Sequence, residues 1–152
     1  MDKQQLIKIE LISNTTQRAM ANTIRFEVFV DEQKVPREIE LDQYEDESTH
    51  LLAFYNGIPV GTLRFRHTEK GIKIERVAVS SPYRSFGIGK ELMFYAEKII
   101  ARTYPELPII LHSQISAQSF YEKLGYVKEG NNFMQAGIEH VAMKKRRGNT
   151  PS

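Results

Sequence analysis

The chain has 152 residues, a formal net charge of +2, 41% hydrophobic and 26% charged residues, and no cysteine. That size and mix fit one soluble globular domain, residues 1–152, with a single core. Disulfide scaffolds, Cys-ligated zinc, iron–sulfur clusters and thiol nucleophiles are excluded, and no apolar run approaches the roughly 20 residues of a membrane helix.

The opening Met1-Asp2-Lys3-Gln4-Gln5 leads into a mixed segment and not into a signal-peptide core, so the expected compartment is the cytoplasm. Leu6–Ile12 is roughly alternating and β-branched and predicts a strand. Ser13-Asn14-Thr15 is a helix-capping run, and the helix it opens runs from Thr16 to about Phe29, with Met20, Ile24 and Val28 as its core stripe. Residues 31–48 are acidic and interrupted by Pro36, which predicts a loop with a short helical turn. His50–Tyr55 and Ile58–Arg66 form a hairpin about Asn56-Gly57, two residues that both accept positive φ. Ile72–Val79 is a third strand, apolar on both faces at its end as a central strand would be. A glycine-rich turn then leads into a helix from about Gly89 to Arg102. Pro108–His112 is a short buried strand, Gln114–Leu124 a short helix stopped by Gly125, Tyr126-Val127 starts a strand, residues 128–137 read as a loop, and Ile138–Met143 is the final strand. Residues 144–152 read as a flexible basic tail. The order predicts a mixed α/β (α+β) fold with helices around one sheet.

The chemistry-bearing segment is Arg84-Ser85-Phe86-Gly87-Ile88-Gly89-Lys90, between a strand and a helix. Two glycines let a phosphate approach the backbone, and the first N–H groups of the helix lie at the positive end of its dipole. A G-x-G turn alone serves equally well to fit a strand to a helix. A Walker loop requires G-x-x-x-x-G-K-[S/T], which is absent, and a Rossmann loop requires a third glycine where this chain has Leu92.

R-x-x-G-x-G directly after V-A-V-S-S-P-Y resembles the acetyl-CoA-binding motif A of the GNAT N-acyltransferase superfamily. Gln114-Ile115-Ser116-Ala117-Gln118-Ser119-Phe120-Tyr121-Glu122-Lys123-Leu124-Gly125-Tyr126 is similar to that superfamily's motif B, with Gln114 where Asn is usual. The segment from Ile24 to Gln33, followed by Glu38 to Asp42 and His50, resembles the R-x-x-V-F-[V/I]-x-E-Q region of the ElaA/YjcF-like branch. Acyl-homoserine-lactone synthases share R-x-x-V-F but carry a following tryptophan, and this chain has no Trp.

The resemblance implies a GNAT-like fold with a mixed sheet of six to seven strands, acetyl-CoA as co-substrate, no metal, and transfer to a primary amine. It implies that the backbone of Val77, Ala78 and Val79 holds the pantetheine arm, that Arg84, Ser85, Phe86, Gly87, Ile88, Gly89 and Lys90 hold the pyrophosphate, and that Gln114, Ala117 and Phe120 line the same site. Tyr121 falls on the motif B tyrosine and is the expected acid for the departing thiolate. Glu75 is the expected base, placed with Val77 by strand alternation, with Glu32 and His50 as alternatives. Arg25, Phe29, Glu32 and His50 are candidate acceptor contacts, and the acidic stretch would favour cationic acceptors if it faced the cleft. The expected partner is a small-molecule amine. A protein N-terminus or lysine as acceptor, and a non-catalytic acyl-CoA sensor, are the alternatives. The small net charge argues against nucleic acid, and an exposed C-terminal edge strand is compatible with a homodimer.

Overall fold

In a computed structural model that describes residues 6–146, seven strands form one sheet in the order β1-β2-β3-β4-β5-β7-β6. β1 is Ile7–Leu11, β2 Thr49–Tyr55, β3 Ile58–Thr68, β4 Gly71–Val79, β5 Ile109–Gln114, β6 Tyr126–Gln135 and β7 Ile138–Lys145. Every pairing is antiparallel except that of β4 with β5. Among the described residues, no helix is long and apolar enough to cross a membrane.

α1 (Thr15–Arg25) starts where the Asn14 side chain accepts from the Gln17 N–H at 2.8 Å, the expected cap. The helix then widens into a π-helix, Phe26–Glu32, before the short α2 (Arg37–Glu40). Ala21, Ile24 and Val28 lie against Leu52 and Ala78 on one face of the sheet. α3 (Ile88–Thr103) covers the other face, with Leu92, Met93, Ala96 and Ile100 buried against Leu51, Val60, Leu63, Ile72 and Ile74. α4 (Gln118–Lys123) follows a turn of 3-10 helix, Ile115–Ala117, so the predicted helix from Gln114 is split in two.

Two features position the site. β4 pairs with β5 only at Ile72↔Ile109, Lys73↔Ile110 and Ile74↔Leu111. Beyond that point β5 pairs with β7, and the edge of β4 from Glu75 to Val79 has no strand beside it. The second feature is a bulge in β4. Thr62 faces Ala78 and Arg64 faces Glu75, so Leu63 stands opposite both Arg76 and Val77. Arg76 takes φ +57, a left-handed conformation uncommon outside glycine. Alternation restarts there, so Glu75 shares a face with Ala78. The expected placement of Glu75 with Val77 is therefore corrected.

The C-terminal region differs from expectation. Residues 128–137 are not a loop: with residues 138–145 they form a long β6–β7 hairpin, turning at Ala136 (φ +53) and Gly137 (φ +77). Lys144 and Lys145 belong to β7 and not to a tail. The Lys145 ammonium donates to the Leu124 carbonyl, pairs with Glu97 at 3.4 Å and sits over the Tyr126 ring. The rest of the expected tail, from residue 147 on, lies outside the described residues.

Candidate active site

Where β4 and β5 part, a cleft of about 300 Å³ opens. Its floor is β4 from Lys73 to Val77 and β5 from Leu111 to Gln114. One wall is Phe29, Gln33, Val35 and Ile39, carried by the π-helix and the segment after it, and the opposite wall is Gln135, Ala136, Ile138 and His140 of the β6–β7 hairpin. Ala117 and Tyr121 close the end toward α4. Gln33 and Gln114 join across the opening, the Gln114 amide donating to Gln33 Oε1 at 2.6 Å. The Gln that replaces the usual Asn thus ties β5 to the wall carrying Phe29.

Tyr121 is buried against Phe120 and Tyr126, with ring centroids 4.9 and 6.0 Å away. Burial alone pushes its phenol well above the ordinary value, so it stays protonated across the neutral range. Phe120 packs against the turn before α3. A Cβ on Gly89 would lie 3.3 Å from the Phe120 ring, so Gly89 is needed for this packing as well as for any phosphate approach. Gly87 caps α3 at φ +83 with open space where a side chain would project, so its backbone conformation is what calls for glycine. Ser85, Gly87 and Lys90 are exposed beside the N-terminus of α3. The turn thus presents small residues, unpaired helix N–H groups and one lysine, a fit for an anion such as a pyrophosphate.

Several expected contacts change. The side chains of Ala78 and Ile88 are buried in the core, so only their backbone can meet a ligand. Phe86 packs edge-on against Tyr55 and Tyr83, with ring centroids 4.9 and 5.9 Å away. Arg84 stands at the turn, but its guanidinium is held by Glu32 through bonds of 2.9 and 2.7 Å, and its Nε donates to the Val79 carbonyl at 2.8 Å. Glu32 is therefore an ion-pair partner and lies outside the cleft lining, which removes it as a base.

The acidic stretch is not a solvated loop either. Arg25 is only 1% exposed and binds Glu40 Oε2 at 2.9 Å, the Glu40 carbonyl at 2.8 Å and both Glu45 oxygens at 2.8 Å. With every arm of its guanidinium used inside the protein, Arg25 is no anchor for an acceptor. Arg64, also 1% exposed, binds Asp42, Glu45 and Glu75. His50 is buried beside this network, its Nε2 2.8 Å from the Glu45 carbonyl, and does not reach the cleft. Of the four expected acceptor contacts, Phe29 alone lines the cleft.

Glu75 lines the cleft but is the most heavily paired carboxylate in it. Arg64 Nε and Arg66 Nε each donate to Oε1 at 2.9 Å, Arg66 Nη2 donates to Oε2 at 3.2 Å, and Lys73 Nζ lies 3.2 Å from Oε2. Burial opposes ionisation, yet the hydrogen bonds from Arg66 and the charges of Arg64, Lys73 and Arg66 prevail and hold the carboxyl at about 2. A carboxylate held so far below neutrality is a poor proton acceptor, and the expectation that Glu75 is the base is corrected.

The cleft instead contains His112 and His140, which sequence reasoning passed over because each sits inside a short strand with no motif around it. Pairing of Gln114 with His140 and of His112 with Ala142 puts both rings on one face of the sheet. His112 Nδ1 lies 3.0 Å from Gln135 Oε1, an acceptor, so Nδ1 carries the proton and Nε2 keeps a lone pair. His112 is exposed at the cleft; partial desolvation of its ring pushes the imidazole below its ordinary value, the charge of Lys73 adds to the effect, and the neutral form prevails at neutral pH. His140 Nδ1 is engaged by the Ile138 carbonyl at 2.7 Å.

Residues 10–147 match the acetyltransferase (GNAT) domain family. The chain is 39% identical over 140 residues to the N-acetyltransferase YjcF of Bacillus subtilis, covering 91% of this chain and 99% of the relative. It is 28% identical over 126 residues to ElaA of Escherichia coli, covering 80% and 82%. An acyl-CoA N-acyltransferase structure from Pseudomonas aeruginosa superposes with a TM-score of 0.81 at 27% identity, over 92% of this chain and 98% of that one. Sheet order, the parting of β4 from β5 and the helix-capping glycine turn agree with the family match: the chain belongs to the GNAT acetyltransferase family and is an acyltransferase.

Proposed function

We propose that the protein transfers the acetyl group of acetyl-CoA to the primary amine of a small molecule, by direct attack with both substrates bound. The observation that carries this is the cleft at the parting of β4 and β5. It joins an unpaired strand edge, a neutral imidazole and a protonated phenol within one lining. The turn at residues 84–90 and the first N–H groups of α3 hold the pyrophosphate. The open edge of β4 lies along the pantetheine arm, with the Val77 backbone near the thioester carbonyl; the Val79 carbonyl is already taken by Arg84.

His112 Nε2 takes a proton from the ammonium, freeing the nitrogen lone pair. The nitrogen attacks the thioester carbon, a C–N bond forms, and the C–S bond breaks. Tyr121 donates its proton to the departing sulfur, and the second proton that the nitrogen loses as the amide forms passes through solvent to restore the phenol. No step uses a side-chain nucleophile. A free-CoA release assay with acetyl-CoA across a library of amines tests the reading, together with thermal melting with and without acetyl-CoA. At about 100 times Kd a ligand bound by the native state alone adds about 2.7 kcal/mol of stability. No melting shift at millimolar acetyl-CoA, or no amine-dependent release, would overturn it.

A further inference from the structure

The cleft's charged groups are unequally satisfied. Its two carboxylates are saturated: Glu75 receives Arg64, Arg66 and Lys73, and Glu40 Oε2 lies 2.9 Å from Arg25 Nε and 3.1 Å from Arg76 Nε. Its two cations are not. Lys73 Nζ makes a single ion pair, at 3.2 Å to Glu75, which leaves ammonium hydrogens free. Arg76 uses Nε and Nη2 on the Ile39 and Glu40 carbonyls, Glu40 and Asp42, while Nη1 makes no hydrogen bond among the described residues. Both side chains are partly exposed, at 16% and 20%, and both line the cleft.

The wider network carries the same bias. Arg25, Arg64, Arg66, Lys73 and Arg76 supply five positive charges against the four negative charges of Glu40, Asp42, Glu45 and Glu75, and among the described residues no other charge joins these contacts to restore the balance. What this cleft offers a ligand is therefore donor hydrogens on Lys73 and Arg76, at the edge of a network with one positive charge in excess. Arg76 is also held in a left-handed conformation at the bulge, a strained geometry of the kind that clusters at ligand-binding positions. The bulge sits where the floor passes from paired strand to open edge, next to Val77 and the expected thioester position.

We infer that Arg76 and Lys73 form an anion subsite, and that the natural acceptor is a primary amine carrying a carboxylate or phosphate a few bonds from its nitrogen. The inference rests on the transferase reading above and reverses the expectation of cationic acceptors. The anionic group engages the open Nη1 of Arg76 and the Lys73 ammonium, and the amine extends toward His112. A polyamine or aminosugar would instead bring a second cation beside Lys73 and Arg76, at the edge of a network whose positive charges already outnumber its negative ones.

The test compares acceptors that share one amine and differ at the far end: propylamine, trimethylenediamine, β-alanine and phosphoethanolamine. The expected kcat/KM for β-alanine or phosphoethanolamine exceeds that for propylamine by roughly tenfold or more, as a charge-assisted hydrogen bond supplies. The better of the two anions identifies the group. In Arg76→Gln and in Lys73→Met the ratio falls toward one through KM. Arg76→Gln also strips Glu40 of a partner, so Lys73→Met keeps the test open if the first variant does not fold. The inference is overturned if propylamine or the diamine equals the anionic amines, or if folded variants keep the wild-type ratio. Calorimetry with CoA present separates this from failure of the transferase reading. If no amine is acetylated yet N-acetyl-β-alanine binds better than N-acetylpropylamine, and Lys73→Met removes the difference, the subsite stands and the transferase reading falls. Equal binding, or none, overturns the subsite.

Discussion

Replacing Glu75 by glutamine keeps the shape of the side chain and removes the charge on which Arg64, Arg66 and Lys73 converge. The folded protein holds this carboxyl at about 2 against an ordinary 4.5. By linkage, that difference corresponds to about 3 kcal/mol of stability at neutral pH. Because the folded value is depressed, the contribution is complete above 4.5 and is lost as pH falls toward 2. Glutamine forgoes it at every pH and leaves the 1%-exposed Arg64 with one anion fewer. The expected loss at neutral pH is again about 3 kcal/mol, near the cost of breaking a buried pair.

Urea unfolding followed by circular dichroism, repeated from neutral pH down to about 2, reads both effects. The two stability curves should lie about 3 kcal/mol apart at neutral pH and converge in acid. Asp42, also held at about 2 by its contacts with Arg64 and Tyr44, still titrates in the variant and keeps its curve sloping. Parallel curves, or a variant within about 0.5 kcal/mol of wild type at neutral pH, would refute the account of the network. The same protein decides the catalytic question. If Glu75 were the proton acceptor, turnover would fall by about 10²–10⁴-fold; with Glu75 structural, the folded variant keeps kcat within about tenfold.

Tyr121→Phe should lower kcat and kcat/KM together, by about 10²–10⁴-fold in single-turnover acetyl transfer, with the Kd of acetyl-CoA unchanged; equal single-turnover rates would make Tyr121 a packing residue. Wild-type activity should fall on acidification with a midpoint below 6.5, because His112 must be neutral to act and its imidazole is held below that value; Lys73, Glu75, Gln135 and His140 set its surroundings. His112→Gln should flatten that limb in a pH–rate profile, and an unchanged limb would transfer the role to another group. Glu32→Gln frees Arg84 for phosphate and should tighten acetyl-CoA binding by a few-fold in calorimetry, on the scale of a partly exposed ion pair; weaker binding would mean that the pair positions Arg84 for its ligand.

Much of the architecture was legible because it follows from local rules. Asn56-Gly57 turns at φ +53 and +87, Gly125 ends its helix at φ +96, and the Ile24 and Val28 stripe is buried as its spacing requires. The glycine turn before α3 was legible for the same reason, with Gly87 at φ +83. β6 was not: between Tyr126 and Gln135 its side chains are largely exposed on both faces, so no alternation of apolar residues announced a strand. The acidic stretch was misread because its partners are remote. Glu40, Asp42 and Glu45 are neutralised by Arg25, Arg64 and Arg76, which approach from 15 to 36 positions away in the chain. Composition records the charges but not which of them meet.

The bulge decides the rest. Alternation along β4 assigns Glu75 and Val77 to one face, and on that basis a carboxylate belongs beside the thioester. Glu75 faces the arginines of β3 by regular pairing, and one extra residue at Arg76 takes Val77 off that face. Arginine gives no local signal for a left-handed backbone, so the strand pattern carries no trace of the break. The consequence is chemical: the carboxylate with the most promising position in the sequence becomes the anchor of a cation cluster, and proton transfer passes to an imidazole across the parting of the strands. Arg76 itself is brought into the cleft lining, where it adds a positive charge that the saturated carboxylates leave available. The same one-residue insertion therefore separates Glu75 from Val77 and brings Arg76 into the cleft lining, and the proposed acceptor preference rests on that change.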